Sequence, residues 1–161
     1  MDVLIHDVNN IENFLKINHD EIIVISNDGN IKPCVCCFGC WIKTPGKCVI
    51  DDGYNNMGIL LSKCNRIIVI SQCFYGGYSP FVKNVFDRSI PYLLPYFKIK
   101  NGETHHIKRY NNAITLSVNF YGEITNAEKE TAKKLIVANG NNMFIRTEIH
   151  FYNTFKEIQG V

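Results

Sequence analysis

The sequence predicts an α/β protein built on one doubly wound, five-stranded parallel sheet with helices on both faces. Short runs of β-branched residues alternate along the chain with segments whose apolar residues recur at helical spacing. The inner runs are apolar throughout, with Ile-Ile-Val-Ile at residues 22–25 and again at 67–70. Strands of this kind are typical of a parallel sheet that is covered on both sides.

Composition and charge narrow the class of protein. The 161 residues are 46% hydrophobic and 20% charged, and the net charge is +2 with scattered Lys and Arg, so no basic stripe for nucleic acid is present. No apolar run reaches the roughly 18 residues of a membrane span, and no export signal is visible. We therefore expect a single cytoplasmic domain over residues 1–161 that binds neither nucleic acid nor membrane.

The five predicted strands and four predicted helices follow one another in order. The strands are placed at residues 3–8, 21–26, 66–71, 113–118 and 143–151. The helices are a brief one capped by Asn10, one after the turn at 51–53, one over 79–94 ended by Pro91 or Pro95, and one from the capping box at Thr125 to Gly140. The last strand alternates apolar and polar residues, which favours an edge position.

A cysteine-rich segment, residues 33–48, follows the second strand and carries the sharpest chemical signal. Cys34, Cys37, Cys40 and Cys48 fit the pattern C-x2-C-x2-C-x7-C. Two successive short spacings let one loop wrap three thiolates around a compact cluster, which is the logic of iron–sulfur ligation. Zinc ranks lower because it favours two separated C-x2-C pairs, and unligated thiols are the remaining alternative. The other cysteines are interpreted as a spare thiol (Cys36), a core residue (Cys64) and either of these (Cys73).

Two loops at strand ends form the second candidate site, because ligands of doubly wound sheets bind beyond the carboxyl ends of the strands. The first loop consists of Ser71, Gln72, Cys73, Phe74, Tyr75, Gly76, Gly77, Tyr78 and Ser79, and the second contributes Asn119, Tyr121 and Gly122. Glycines let the main chain approach a flat ligand, and tyrosines offer faces for stacking. The alternative is that both loops are ordinary turns. His6 is interpreted as structural.

At these residues the chain resembles the flavodoxin-like NAD(P)H-dependent FMN reductase family, in its iron–sulfur flavoprotein branch. The matching segments lie between residues 31 and 121 and include the cysteine segment, Asp51-Asp52, the 71–79 loop and the Lys83, Asp87, Arg88 and Pro91 positions. The resemblance implies sheet order 2-1-3-4-5 and FMN against the two strand-end loops. It also implies NAD(P)H as electron donor, a small-molecule acceptor or redox protein as partner, and a homodimer or homotetramer. A [4Fe–4S] cluster would be held by Cys34, Cys37, Cys40 and Cys48, and no side chain need act as acid or base.

One segment departs from the family. Its members follow the first strand with a Ser/Thr/Gly-rich loop that holds the FMN phosphate, whereas here Asp7-Val8-Asn9-Asn10 leads straight into a short helix. Asn10 and the amides at the helix start are the predicted phosphate ligands, and Asp7 would repel a phosphate. Three functions are therefore weighed: an FMN-dependent oxidoreductase, a flavodoxin-like subunit or binding module that has lost FMN, and a thiol-redox or zinc protein.

Overall fold

A five-stranded parallel sheet with strand order β2-β1-β3-β6-β7 forms the centre of the protein in the computed structural model, which describes residues 1–15 and 20–159. Its strands are β1 (Asp2–His6), β2 (Ile22–Ser26), β3 (Arg66–Gln72), β6 (Thr115–Tyr121) and β7 (Arg146–Tyr152). Every pairing within the sheet is parallel. The predicted fold class, the predicted strand order and the edge position of the last strand are confirmed.

Side chains of successive strand residues enter different cores, as the period of two requires. Val3 and Ile5 belong to the larger core, and Leu4 between them belongs to the smaller one on the opposite face. The larger core is covered by α2 (Met57–Lys63), α3 (Pro80–Arg88) and α4 (Asn126–Met143). On the opposite face, 3₁₀ turns at Ile11–Asn13 and Phe155–Glu157 lie beside the smaller core. The brief helix predicted after Asn10 is thus only a 3₁₀ turn.

The helix predicted over residues 79–94 is wrong in its second half. It ends at Arg88, a 3₁₀ turn spans Ile90–Tyr92, and an antiparallel hairpin follows, made of β4 (Leu93–Lys100) and β5 (Glu103–Lys108). Asn101 and Gly102 join the two strands with positive φ angles of 54° and 81°. Asn-Gly is the preferred pair for this type of two-residue turn, so the signal was present in the sequence.

Helix α4 begins and ends for different physical reasons. The predicted capping box is confirmed, since Thr125 Oγ1 accepts a hydrogen bond from the Glu128 amide at 3.3 Å. The helix continues past Gly140 to Met143, and Phe144 in the left-handed region ends it. A Cβ at Gly140 would lie 2.6 Å from the Thr147 side chain, so this glycine lets the helix approach β7.

No helix in the described part of the chain combines the length and the apolar character needed to cross a bilayer. The predicted single domain includes residues 16–19 and 160–161, which lie outside the described residues.

Candidate functional site

Four predicted cluster ligands line one cavity of about 430 Å³ between the cysteine segment and α3, which we call the cysteine cavity. Cys40 and Cys48 are buried, Cys34 is half-buried, and Cys37 is exposed. Cys36, outside the spacing pattern, also lines the cavity. The structure therefore brings all four residues of the C-x2-C-x2-C-x7-C pattern to one place, although they come from both ends of a 15-residue segment.

Left-handed backbone bends the cysteine segment around the cavity. Cys36 and Phe38 have φ angles of 51° and 56°, and the helical turn α1 (Gly39–Ile42) follows directly. Gly39 is required at this point because a Cβ there would lie 2.7 Å from Cγ1 of Val49. Trp41 forms an apolar wall, stacking on Phe38 with ring centroids 5.7 Å apart.

Arg88 uses all five of its N–H donors to hold Cys48, and the residues that flank the cysteine segment, against α3. Nη1 and Nη2 donate to the Asp52 carboxylate at 2.6 and 2.9 Å, and also to the carbonyls of Lys32 and Ile50. Nε donates to Cys48 Sγ at 3.2 Å. The Arg88 and Asp52 side chains are 0% and 2% exposed. A buried, bidentate pair of this kind fixes geometry in a way that a surface ion pair does not.

Burial favours the neutral form of two of the cavity thiols, those of Cys34 and Cys40. Burial raises the pKa of both the Cys34 and the Cys40 thiols. Metal ligation would have to displace those protons. No three metal-binding side chains among the described residues already form a metal site. The four cysteine sulfurs are therefore suitable ligands for a thiolate-bound metal centre, and they line the same cavity. Binding of a metal would draw the four sulfurs closer together.

The strand-end loops use several predicted ligand-binding residues to hold themselves together. Ser71 Oγ accepts a hydrogen bond from the Ser79 amide at 2.9 Å, and Asn119 Nδ2 donates to the Val69 carbonyl at 3.2 Å. The ring of Tyr78 packs in the core between two phenylalanine rings, whose centroids lie 4.9 and 5.6 Å away. Tyr78 therefore serves the packing of α3 and does not offer a face at the crevice.

Residues 74–77 form a tight turn with two exposed aromatic rings. Phe74 and Gly77 exchange backbone hydrogen bonds of 3.0 and 2.8 Å, and Tyr75 and Gly76 between them have φ angles of 51° and 78°. A Cβ at Gly76 would lie 2.7 Å from the Glu128 carbonyl, so this glycine serves contact with α4. The side chains of Tyr75 and Phe74 are 89% and 42% exposed and leave flat apolar surface at the strand ends.

Asp7 joins the carboxyl ends of the three central strands. Its carboxylate accepts hydrogen bonds from the Gln72 amide and the Tyr121 hydroxyl, both at 2.9 Å, with Ser71 Oγ at 3.5 Å. Burial, together with the charge of Asp7, raises the pKa of the Tyr121 hydroxyl. The sequence predicts that Asp7 is close to the crevice. It does not predict these contacts, because each joins residues more than sixty positions apart and has no sequence pattern.

The comparisons with known proteins agree with this architecture. No family model matches this chain. Over 81 residues, or 50% of its length, the chain is 31% identical to an iron–sulfur flavoprotein of Methanosarcina thermophila, of which the match covers 41%. Among solved structures, an azoreductase from Bacillus anthracis str. Sterne superposes with a TM-score of 0.54 over 93% of this chain and 86% of that one, at 11% identity. The azoreductase AzrA gives 0.51 over 94% and 87%, again at 11% identity. The flavodoxin-like resemblance is confirmed.

The sequence match lies within the first relative and leaves more than half of that protein without a counterpart. The azoreductase similarity establishes the flavodoxin-like fold alone. The cofactor, substrate and assembly of this chain therefore have to be inferred from its own residues.

The described residues do not fit the phosphate of FMN. Asp7 places a negative charge at the strand ends, and the two donors that converge there, the Gln72 amide and the Tyr121 hydroxyl, already bind its carboxylate. Asn10 lies in the left-handed region before a 3₁₀ turn of three residues, and its side chain caps no amide. A turn this short supplies little of the helix-terminus field that binds anions. The predicted role of Asn10 stays a prediction without structural support.

Proposed function

We propose that this protein is an electron-transfer oxidoreductase of the flavodoxin-like class, with a [4Fe–4S] cluster in the cysteine cavity and a flavin ring against the strand-end loops. The observation that carries the proposal is the convergence of Cys34, Cys37, Cys40 and Cys48 on one cavity. Cluster ligation by four cysteines is common in electron carriers, and flavins exchange electrons with such clusters and with nicotinamides.

The residues around the thiols would shape the behaviour of a bound centre. Arg88 donates a hydrogen bond to the Cys48 sulfur, and hydrogen bonds to sulfur tune the reduction potential of iron–sulfur centres. Trp41 and Phe38 give one side of the cavity an apolar wall. No general acid or base is needed, since the electron-carrying groups supply the chemistry.

Helix α3 connects the two proposed sites. It begins directly after the 71–79 loop, and Lys83, Asp87 and Arg88 on it line the cysteine cavity. Aromatic surface for a flavin ring is available at the other end, on Tyr75 and Phe74. FMN is the flavin that the resemblance implies, and NAD(P)H is the implied donor; a dimer or tetramer also stays a prediction.

The test is anaerobic isolation followed by a visible spectrum and quantitation of iron, sulfide and flavin. We expect about four irons per chain in the wild-type protein. We expect Cys40→Ser and Cys48→Ser each to lose most of the iron, whereas Cys36→Ser, in the same cavity but outside the pattern, keeps it. One zinc per chain and no iron would contradict the proposed cluster and would show that the cysteines form a zinc site instead.

The second candidate is a flavodoxin-like subunit or binding module without flavin, and the position of Asp7 favours it. A protein that contains iron but binds neither FMN nor riboflavin in titrations would support this candidate. Binding of either flavin at one per chain would exclude it.

A further inference from the structure

A second cavity, of about 400 Å³, opens at the carboxyl ends of β1 and β2. We call it the β1–β2 cavity. Its lining residues are mostly polar and include His6, Asp7, Asn10, Asn13 and Ser26. None of the described lining residues is Lys or Arg. With the Asp7 and Glu12 carboxylates, and no Lys or Arg among its described lining residues, the cavity favours a ligand that donates hydrogen bonds and carries no negative charge.

His6 is the observation that points to a ligand. Its side chain is only 3% exposed, and neither ring nitrogen makes a well-directed hydrogen bond with a described residue, although the Val8 backbone lies near enough to raise the pKa of the ring. Burial lowers the pKa of His6 against the opposing influence of the Val8 backbone and the Asp7 charge, so the ring is neutral near pH 7. A neutral imidazole has one donor and one acceptor, and leaving both unused in a buried place is costly.

Asp7 determines which ligands the crevice can accept. Its carboxylate lines the β1–β2 cavity and also takes the two donors contributed by Gln72 and Tyr121. The carboxylate of Asp7 thus occupies, at the ends of three strands, the position where an anionic ligand group would otherwise bind. A phosphate placed within about 6 Å of that charge would lose roughly a hundredfold in affinity at the effective dielectric of a partly buried site. A hydroxyl group instead gains an acceptor.

We propose that the crevice binds a flavin without a phosphate, riboflavin in preference to FMN, with the hydroxyls of the ribityl chain in the β1–β2 cavity between His6 and Asp7. The inference rests on the flavin of the proposed function. Hydroxyl groups can donate to Asp7 and to one nitrogen of His6, and can accept from the other. The flavin ring then lies toward the exposed rings of Tyr75 and Phe74.

The experiment titrates the flavin-free wild-type chain separately with riboflavin and with FMN, following flavin fluorescence and heat. We expect riboflavin to bind at least tenfold more tightly. Asp7→Asn removes the charge but keeps an acceptor oxygen, and we expect it to raise the FMN affinity at least tenfold while riboflavin changes less than threefold. Glu148→Gln makes the same change of charge at an exposed position on β7, and the ratio should not move.

A second measurement needs no variant. Higher salt screens the repulsion between two partly exposed charges, so the preference for riboflavin should shrink as ionic strength rises. His6→Phe should weaken both flavins by a similar factor. Equal or tighter FMN binding by the wild-type protein, or a ratio unmoved by Asp7→Asn in a folded protein, overturns the inference and leaves the proposed flavin site intact. Binding of neither compound overturns both, whereas the cluster is judged separately by the iron content.

Discussion

The guanidinium of Arg88 and the carboxylate of Asp52 form a buried, bidentate ion pair with N–O distances of 2.6 and 2.9 Å. The pair joins α3 to the stretch that follows the cysteine segment, four residues beyond Cys48. It follows that the position of Cys48, and with it the shape of the cysteine cavity, depends on two residues that are not themselves ligands.

Breaking this pair should be costly. We expect Arg88→Met to lower the free energy of unfolding by about 3–5 kcal/mol, because it leaves the Asp52 charge buried and unpaired. Urea unfolding followed by circular dichroism measures this. The control is Arg66→Met, which breaks the half-exposed pair with Asp2 and should cost less than about 1 kcal/mol. Equal losses for the two variants would contradict the assigned role of Arg88.

Stability should fall in strong acid in a way that depends on Asp52. Burial alone would raise the pKa of Asp52, but hydrogen bonds from Arg88, the Lys32 amide and the Tyr54 amide lower it to about 2, against 3.8 for the unperturbed group. A depressed pKa contributes stability above the unfolded value, and this contribution is lost as pH falls through the folded value. The loss should be about 2 kcal/mol between pH 4 and pH 2.

The measurement is the urea midpoint of the wild-type protein and of Asp52→Asn across this range. The variant should be less stable at pH 7, and its stability should change less between pH 4 and pH 2. Parallel curves for the two proteins would show that another carboxylate is responsible.

Adding one methyl group at Gly39 should disturb the cysteine segment. The new Cβ would lie 2.7 Å from a methyl of Val49, so we expect Gly39→Ala to cost about 1–3 kcal/mol and to reduce iron incorporation. The double variant Gly39→Ala, Val49→Ala removes the clash and should recover part of the iron content. Iron content that falls equally in both would mean that the segment responds to something other than this contact.

Two glycines with similar backbone angles should differ in their tolerance of a side chain. Gly76 has φ of 78° and would place a Cβ 2.7 Å from the Glu128 carbonyl, whereas Gly102 has φ of 81° with nothing within 4 Å. We expect Gly102→Ala to cost about 1 kcal/mol for the left-handed conformation alone. Gly76→Ala should cost at least about 2 kcal/mol more, as measured by the thermal midpoint of unfolding.

The sheet could be predicted because its signals are local. Each β-branched run and each capping residue is visible within a few positions, and the strand order followed from the resemblance carried by the cysteine segment and the 71–79 loop. The hairpin was not predicted, although Asn101-Gly102 is a typical hairpin turn. The reason is that the apolar spacing of residues 81–94 continues at helical period past the true end of α3 at Arg88.

Only part of each candidate site could be predicted from the sequence. The four cysteines were found because their spacing is itself the signal. The partners of Arg88 lie up to 56 residues away, and the Tyr121 hydroxyl bonds to a carboxylate 114 residues away, so neither contact has a sequence pattern. Tyr78 looks the same in the sequence whether it faces a ligand or the core, and only packing decides between them.

The single tryptophan of the chain is Trp41, and it stands in the wall of the cysteine cavity with its indole N–H bonded to the Leu93 carbonyl at the start of the hairpin. Indole fluorescence from this protein therefore originates at the wall of its proposed metal site. Loading and loss of a light-absorbing centre should be visible as quenching and recovery of that one signal, without any attached dye.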